Sequence, residues 1–179
     1  MRVLIALAVV FVPMLFEARR AAANERAQLS CGGIEAEGDV YRIMRVAYPA
    51  AFLAMIAEGA MRGGPRVGVV AVGAAVFVLA KILKWWAIAS LGQSWTFRVI
   101  TVSGAALVTT GPYAFLRHPN YIAVVGELVG TALVAGALLT GPTATIAFGI
   151  LMVKRIAIEE RALTPQPLIP NPQERVREM

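Results

Sequence analysis

The hydrophobic positions of the chain fall into five long blocks separated by short polar connections. Long apolar blocks of this kind indicate helices that lie in a membrane. The first, second and fifth blocks are shorter than the ~20 residues of a straight span, so their helices must extend into flanking polar residues or pack inside the bundle. The pattern predicts an all-α integral membrane protein with about five transmembrane helices, near residues 3–18, 46–61, 67–91, 121–139 and 143–158.

The first block has a second interpretation, a signal peptide cleaved near Ala21-Ala22-Ala23. Charged residues stand between its apolar core and these alanines, where a signal peptide has none, so a retained helix is favoured. Residues 1–163 are expected to form a single membrane domain. The segment 164–179 is rich in proline and is expected to be a flexible tail.

Composition agrees with a membrane location. The chain is 58% hydrophobic, its mean hydropathy is +0.68 and its net charge is +6. The basic residues lie beside apolar blocks, a pattern that favours membrane topology over nucleic-acid binding. Cys31 is the one cysteine, which excludes an internal disulfide and a cysteine-based metal site. We expect no metal.

Positive charge predicts the orientation of the spans. Arginines concentrate in the connections 19–45 and 92–120 and after the fifth block. With five spans these regions share one side, so the N-terminus is expected outside and the C-terminus in the cytoplasm. Lys81 and Lys84 are then expected to snorkel to the cytoplasmic interface, where Trp85 and Trp86 would also lie.

The fourth and fifth blocks are separated only by Thr140-Gly141-Pro142, which indicates a tight turn. The two helices are therefore expected to form an antiparallel hairpin with its open end at the cytoplasmic face. Such a hairpin places the polar segment that precedes the fourth helix beside the polar end of the fifth. The region from Trp95 to Thr110 is only weakly strand-like, with a turn at Ser103-Gly104.

Candidate chemistry lies at the two ends joined by this hairpin. His118 is the one histidine of the chain and, with Asn120, flanks Pro119 at the start of the fourth helix. The free N–H groups and positive dipole end there can hold a carboxylate. The alternative interpretation is a segment that only caps the helix. Glu159 and Glu160 end the fifth helix, where Glu159 could instead form a surface ion pair with Arg155.

Two further acids lie inside apolar blocks. An acid within a span usually faces the bundle or a polar cavity. Glu127 is therefore either a site residue or a hydrogen-bonded contact between helices, and Glu58 is expected at the outer interface. Asn24, Tyr41 and Arg98 are polar residues of the connections that could reach the same site.

At these residues the chain resembles the isoprenylcysteine carboxyl methyltransferase family and, more loosely, the phospholipid methyltransferases. The resemblance covers roughly residues 81–163, and its motifs occur in the family's order around a helical hairpin. Ala123 departs from the family, which usually has glycine there. The matching runs are Gly111-Pro112-Tyr113, Arg117-His118-Pro119-Asn120-Tyr121 and Arg155-Ile156-Ala157-Ile158-Glu159-Glu160-Arg161-Ala162-Leu163.

The resemblance implies a membrane methyltransferase that moves a methyl group from S-adenosylmethionine to an oxygen of a lipophilic acceptor, which enters from the bilayer. Some bacterial relatives look like methyltransferases for long-chain phenolic lipids, and the chain looks more similar to those than to the eukaryotic enzymes. The cofactor-binding residues that the resemblance implies are Tyr113, His118, Pro119, Tyr121, Glu159 and Glu160.

The acceptor decides which catalytic residues are needed. A carboxylate acceptor is already ionised and needs only Arg98 or Arg117 to orient it. A phenol gains from a general base, for which Glu127 is the candidate. Two other functions stay open, an NADPH-dependent membrane reductase of the sterol-reductase type and a non-enzymatic membrane protein. Membrane lipids are the other expected partners.

Overall fold

The structure, a computed structural model, describes residues 2–163 and is built from helices. The predicted all-α class is confirmed. The proposed proline-rich tail, 164–179, lies outside the described residues. The five long helices are α1 (Arg2–Ser30), α2 (Tyr41–Arg62), α3 (Val67–Leu91), α4 (Pro119–Ala135) and α5 (Thr140–Leu163).

Two short strands and two 3-10 turns accompany the helices. β1 (Ile34–Glu35) pairs antiparallel with β2 (Ile100–Thr101), so the weakly strand-like region pairs with the α1–α2 connection and not with itself across Ser103-Gly104. The 3-10 turns are Gly92–Ser94 and Gly111–Ala114.

Three helical segments are long and apolar enough to cross a membrane, Tyr41–Arg62, Val67–Ser94 and Thr140–Leu163. α4 is apolar but has only 17 residues. Large apolar side chains such as Leu79, Ile146 and Val153 are exposed on the outer surface of the bundle, as lipid-facing side chains are. An integral membrane protein accounts for such a surface, because a water-soluble protein seldom exposes this much contiguous apolar area.

α1 continues well beyond the predicted end of the first span. Residues 19–30 include four alanines and three arginines, which are strong helix formers. Ala21 is fully buried, and the Asn24 side-chain amide donates to the carbonyls of Gly92 (3.0 Å) and Trp95 (2.7 Å). These contacts fix the second half of α1 to the end of α3.

The turn between α4 and α5 lies four residues earlier than predicted. α4 ends at Gly136, whose φ of +70° is the left-handed conformation of a helix C-terminus. Thr140 and Pro142 belong to the first turn of α5, where proline is well tolerated. The predicted antiparallel hairpin is present.

Glu58 holds this turn in place from α2. Its carboxylate accepts hydrogen bonds from the backbone N–H of Leu139 (3.0 Å) and from the N–H (2.7 Å) and hydroxyl (2.6 Å) of Thr140. It is only 6% exposed. The expectation that Glu58 lies at the outer interface stays a prediction; within the protein, its carboxylate supplies the acceptor that the first N–H groups of α5 need.

Glycines allow α3 and α4 to approach closely. A Cβ added at Gly130 would lie 2.7 Å from the backbone nitrogen of Phe77, and one at Gly73 would lie 2.9 Å from the carbonyl oxygen of Gly130. Small residues are the usual means of close helix contact in membranes. One end of the bundle gathers the C-terminal ends of α1, α3 and α5 and the N-terminal ends of α2 and α4, and we call it the site end.

Candidate active site

The site begins at the first turn of α4. His118 precedes the helix with φ −132° and ψ 60°, and Pro119 is buried at its first position. No side chain caps this end within the described residues, and Pro119 has no N–H. The Tyr121 N–H donates to the His118 carbonyl (3.1 Å), so the Asn120 N–H is the free donor of this turn among residues 2–163. This N–H and the positive end of the helix dipole face the site end, where they can attract an anionic group.

The end of α5 meets this turn. The Tyr121 hydroxyl donates to Glu159 Oε2 (2.8 Å), and His118 Nε2 lies 3.5 Å from Glu160 Oε1. The His118 and Tyr121 rings are neighbours, with centroids 5.6 Å apart. The hairpin thus brings together the two polar ends that the sequence analysis paired.

Two more of the predicted residues lie close by. Tyr113, in the 3-10 turn Gly111–Ala114, is half-buried, and its burial together with the nearby Glu159 carboxylate raises the pKa of its phenol. Arg117 is 86% exposed at the side chain, and its NH2 lies 3.6 Å from Glu160 Oε1. Arg117 therefore borders the site but is held by little else.

Arg155 and Asp39 belong to the site although neither was predicted as a site residue. Arg155 Nε donates to the Tyr121 hydroxyl (2.9 Å), and Arg155 NH1 donates to Asp39 Oδ1 (3.0 Å). Asp39 also accepts from the backbone N–H of Val99 (2.8 Å). Arg155 does not form the surface pair with Glu159 that its spacing suggested, because its side chain turns inward and is only 8% exposed.

These contacts form one connected chain of polar groups, Asp39–Arg155–Tyr121–Glu159. It links the α1–α2 connection to both helices of the hairpin. Arg155 lies in a motif of the resembling family, which was a usable signal. Nothing in the sequence relates Asp39 to α5, 116 residues later.

Asn120 adds an unsatisfied acceptor to the site. Its Oδ1 is buried and has no hydrogen-bond partner among residues 2–163. A buried polar atom without a partner is costly, and this one stands between His118 and Tyr121 in the chain. It therefore marks a position where a bound donor would be stabilised.

Arg98, one of the predicted catalytic residues, does not join this group. Its NH1 pairs with Glu35 (3.0 Å), its Nε lies 3.6 Å from Glu25, and its guanidinium stacks over the Tyr41 ring. The Glu35 carboxylate, more than Glu25, raises the pKa of this guanidinium. Arg98 thus serves the β1–β2 region in this structure.

Glu127, the predicted base, lies further along α4 in what we call the buried ion cluster: Glu17, Lys81, Lys84 and Glu127. Lys84 Nζ lies 2.7 Å from Glu17 and 3.3 Å from Glu127, and Lys81 Nζ lies 2.9 Å and 3.2 Å from the same two carboxylates. The Tyr48 hydroxyl also donates to Glu127. No hydrogen bond or ion pair joins Glu127 to His118 or Tyr121.

The expectation that Lys81 and Lys84 snorkel to the interface was wrong. Their side chains are only 13% and 3% exposed and point into the bundle. Two buried carboxylates at hydrogen-bond distance hold them there more strongly than the distant interface does. Trp85 and Trp86 do face outward, with 37% and 48% of their surfaces exposed.

Sequence comparisons now identify the family. The YpbQ protein of Bacillus subtilis (strain 168), an uncharacterized protein, is 32% identical over 158 residues, which cover 88% of this chain and 94% of YpbQ. The profile of the isoprenylcysteine carboxyl methyltransferase family matches residues 71–165. The chain belongs to this family. Family membership indicates a membrane methyltransferase, and the matched range contains α4, α5 and both ends that form the site.

A second relative is more distant. The protein-S-isoprenylcysteine O-methyltransferase of Tribolium castaneum is 32% identical over 94 residues, which cover 51% of this chain and 34% of the beetle protein. The match therefore spans about a third of that relative. No solved structure is significantly similar to the chain.

Proposed function

We propose that the chain is an integral membrane methyltransferase that moves a methyl group from S-adenosylmethionine to an oxygen of a lipophilic acceptor. The observation that carries the proposal is the meeting of the α4 N-terminus, with His118 and Tyr121, and the α5 C-terminus, with Glu159 and Glu160. Family membership supports the reaction class.

The side chains at the site suit the polar groups of this cofactor. Glu159 and Glu160 are carboxylates that can accept from an ammonium group or from ribose hydroxyls. The free Asn120 N–H at the start of α4, with His118, would hold the cofactor carboxylate. Asn120 Oδ1, which has no partner within residues 2–163, would accept from an N–H or O–H of the bound molecule. Tyr113 and Pro119 would line the pocket.

When bound, S-adenosylmethionine would supply an electrophilic methyl group to the acceptor oxygen, and its sulfur would leave as a neutral thioether as the S–CH3 bond breaks. The protein contributes mainly by orienting the two reactants, which is a large part of the acceleration in such reactions. Arg117, exposed beside Glu160, would orient an anionic acceptor. Arg98, the other residue predicted for this role, is the weaker candidate because it pairs with Glu35 away from His118 and Tyr121.

A carboxylate acceptor suits the site better than a phenol. A carboxylate is ionised near neutral pH and needs no base, whereas a phenol does. Glu127, the predicted base, is engaged by Lys81, Lys84 and Tyr48. We therefore place the carboxylate first and keep Glu127 as the proposed base for a phenolic acceptor.

The test is incubation of the purified full-length protein with methyl-labelled S-adenosylmethionine and a lipid extract, followed by identification of the labelled product. We expect a labelled methyl ester that mild alkali hydrolyses. A phenolic ether would survive the alkali and would shift the assignment to a phenol. Absence of labelled product together with absence of cofactor binding would overturn the proposal.

An NADPH-dependent reductase is not favoured. The phosphates of NADPH need several basic groups, and the charged side chains that contact His118 or Tyr121 here are Glu159, Glu160 and the already paired Arg155. Tight binding of NADPH without binding of S-adenosylmethionine would reverse this assignment.

We further propose that the site end faces the cytoplasm and the N-terminus lies outside. Cys31 tests this directly, because it is exposed and directly follows α1 at the site end. A membrane-impermeant thiol reagent should leave Cys31 unlabelled in intact cells and label it after lysis. In a C31S background, Met61→Cys is the matched control, since Met61 is 82% exposed at the opposite end of α2. The reverse labelling pattern would invert the orientation.

A further inference from the structure

A cavity of about 380 Å³ opens at the site end beside the start of α2. Five residues line it: Glu35, Tyr41, Arg42, Arg45 and Arg98. His118, Tyr121, Glu159 and Glu160 are not among them, so the cavity is separate from the candidate active site.

Two positive charges in this cavity are uncompensated. Arg98 is neutralised by Glu35 and stacks on Tyr41, so these three residues form a wall. Arg42 and Arg45 are exposed and have no ion pair or side-chain hydrogen bond within the part of the chain that the structure describes. They are three residues apart on α2 and therefore lie on the same helix face.

An exposed apolar stripe of α2 begins next to these arginines. Ile43, Val46 and Leu53 are 58%, 64% and 50% exposed, and Ala50 is exposed between them. Their spacing keeps them on one side of the helix. α2 is long and apolar enough to cross a membrane, so the stripe would face acyl chains while the arginines stand at its polar end.

We propose that this cavity binds the phosphodiester headgroup of an anionic phospholipid, with an acyl chain against the Ile43–Leu53 stripe. Guanidinium groups recognise phosphate oxygens with paired hydrogen bonds, and basic pockets at a membrane face are typical binding sites of anionic headgroups. A lipid with a neutral headgroup lacks the net negative charge that would balance Arg42 and Arg45. Free phosphate lacks the chain that the stripe would contact.

The experiment measures binding of short-chain phosphatidylglycerol to the purified full-length protein in a neutral detergent. Short-chain phosphatidylcholine and inorganic phosphate are the comparison ligands. The test variant is Arg42→Gln with Arg45→Gln. The matched control is Arg19→Gln with Arg20→Gln, which removes two exposed arginines of α1 that have no ion pair within residues 2–163 and do not line the cavity.

We expect the test variant to weaken phosphatidylglycerol binding about 30-fold, because each arginine near a membrane surface contributes a factor of about five. The control should bind as the wild type does. Equal weakening in both variants would overturn the proposal as a general charge effect, and inorganic phosphate binding as tightly as the lipid would overturn the lipid assignment. If the double variant does not fold, Arg45→Gln alone should still weaken binding about fivefold, and unchanged binding would overturn the proposal.

Discussion

Two polar regions lie along α4, and they differ in how far their glutamates are exposed. At its N-terminal end, the candidate active site leaves Glu160 nearly half exposed, and Glu159 contacts Tyr121. Further into the helix, the buried ion cluster encloses Glu127, only 1% exposed, between two lysines. The cluster balances its charges, two lysines against two glutamates, whereas the site does not.

The difference separates a structural role from a binding role. The Glu127 carboxylate is enclosed by two lysines and Tyr48, so a ligand could reach it only by displacing one of them. A half-exposed carboxylate at the mouth of a helical hairpin can exchange water for a ligand at low cost. Glu127 therefore needs a test of stability, whereas Glu159 and Glu160 need a test of ligand binding.

The largest effect is expected from Glu127→Gln. The substitution keeps the shape and an acceptor for Tyr48 but leaves Lys81 and Lys84 with one counter-charge. Breaking a buried ion pair typically costs about 3–5 kcal/mol of folding free energy. Thermal and denaturant unfolding in detergent would measure it.

A double variant provides the control for this prediction. Glu127→Gln with Lys81→Met restores the charge balance and keeps the 2.7 Å Lys84–Glu17 contact, so it should recover most of the lost stability. A folded and stable Glu127→Gln single variant that loses only turnover would instead support Glu127 as the catalytic base.

Arg155→Gln should have the next largest effect. A hydrogen bond to a charged group contributes about 1.5–3 kcal/mol, and the shorter glutamine side chain can keep at most one of the bonds to Tyr121 and Asp39, so we expect a loss of about this size. We expect lower stability and weaker binding of S-adenosylmethionine, measured by unfolding and by calorimetry.

Arg155→Lys separates the two effects. The lysine keeps the charge but lacks the planar fork that reaches both partners. We expect stability to recover more than cofactor affinity. Equal recovery of both would show that Arg155 does not position Tyr121 for the ligand.

Glu159→Gln should weaken S-adenosylmethionine binding about tenfold with little change in stability, because a half-buried carboxylate loses its charge. The matched control is Glu37→Gln, which neutralises an exposed glutamate of the α1–α2 connection. His118→Ala should act in the same direction as Glu159→Gln. Normal affinity in both site variants would remove these residues from the binding site.

The smallest effect is expected from Arg117→Gln. Its side chain is 86% exposed, and exposed ion pairs contribute little. Cofactor affinity should stay within about threefold of wild type, and the free energy of unfolding should change by less than about 1 kcal/mol. A large loss of turnover at unchanged cofactor affinity would support the proposed role of Arg117 in orienting an anionic acceptor.

Parts of this architecture could be predicted from the sequence because short connections fix them. The connection between α4 and α5 leaves only an antiparallel hairpin, so the neighbourhood of His118 and Glu160 followed from the chain alone. The exact turn did not, because Gly136 and Pro142 are both compatible with a turn, and the start of α5 at Thr140 is fixed by Glu58 of α2, which accepts from its first N–H groups.

The long-range polar contacts could not be predicted. Glu17 and Lys81 are 64 residues apart, and no periodicity relates α1 to α3. Lysines near the end of an apolar block usually reach the interface, so their inward orientation depends on partners that the sequence does not place. Asp39 lies in a short polar connection whose position relative to α5 depends on the whole bundle.

The length of α4 has a consequence for the surrounding lipid. A helix of 17 residues is about 26 Å long, whereas a typical hydrocarbon core is about 30 Å thick. His118 at its end would therefore lie below the headgroup level unless the bilayer thins around the protein. Acyl-chain length would then set how deeply the site is immersed, which makes membrane thickness a physical control on the meeting of a water-soluble cofactor and a lipid-soluble acceptor.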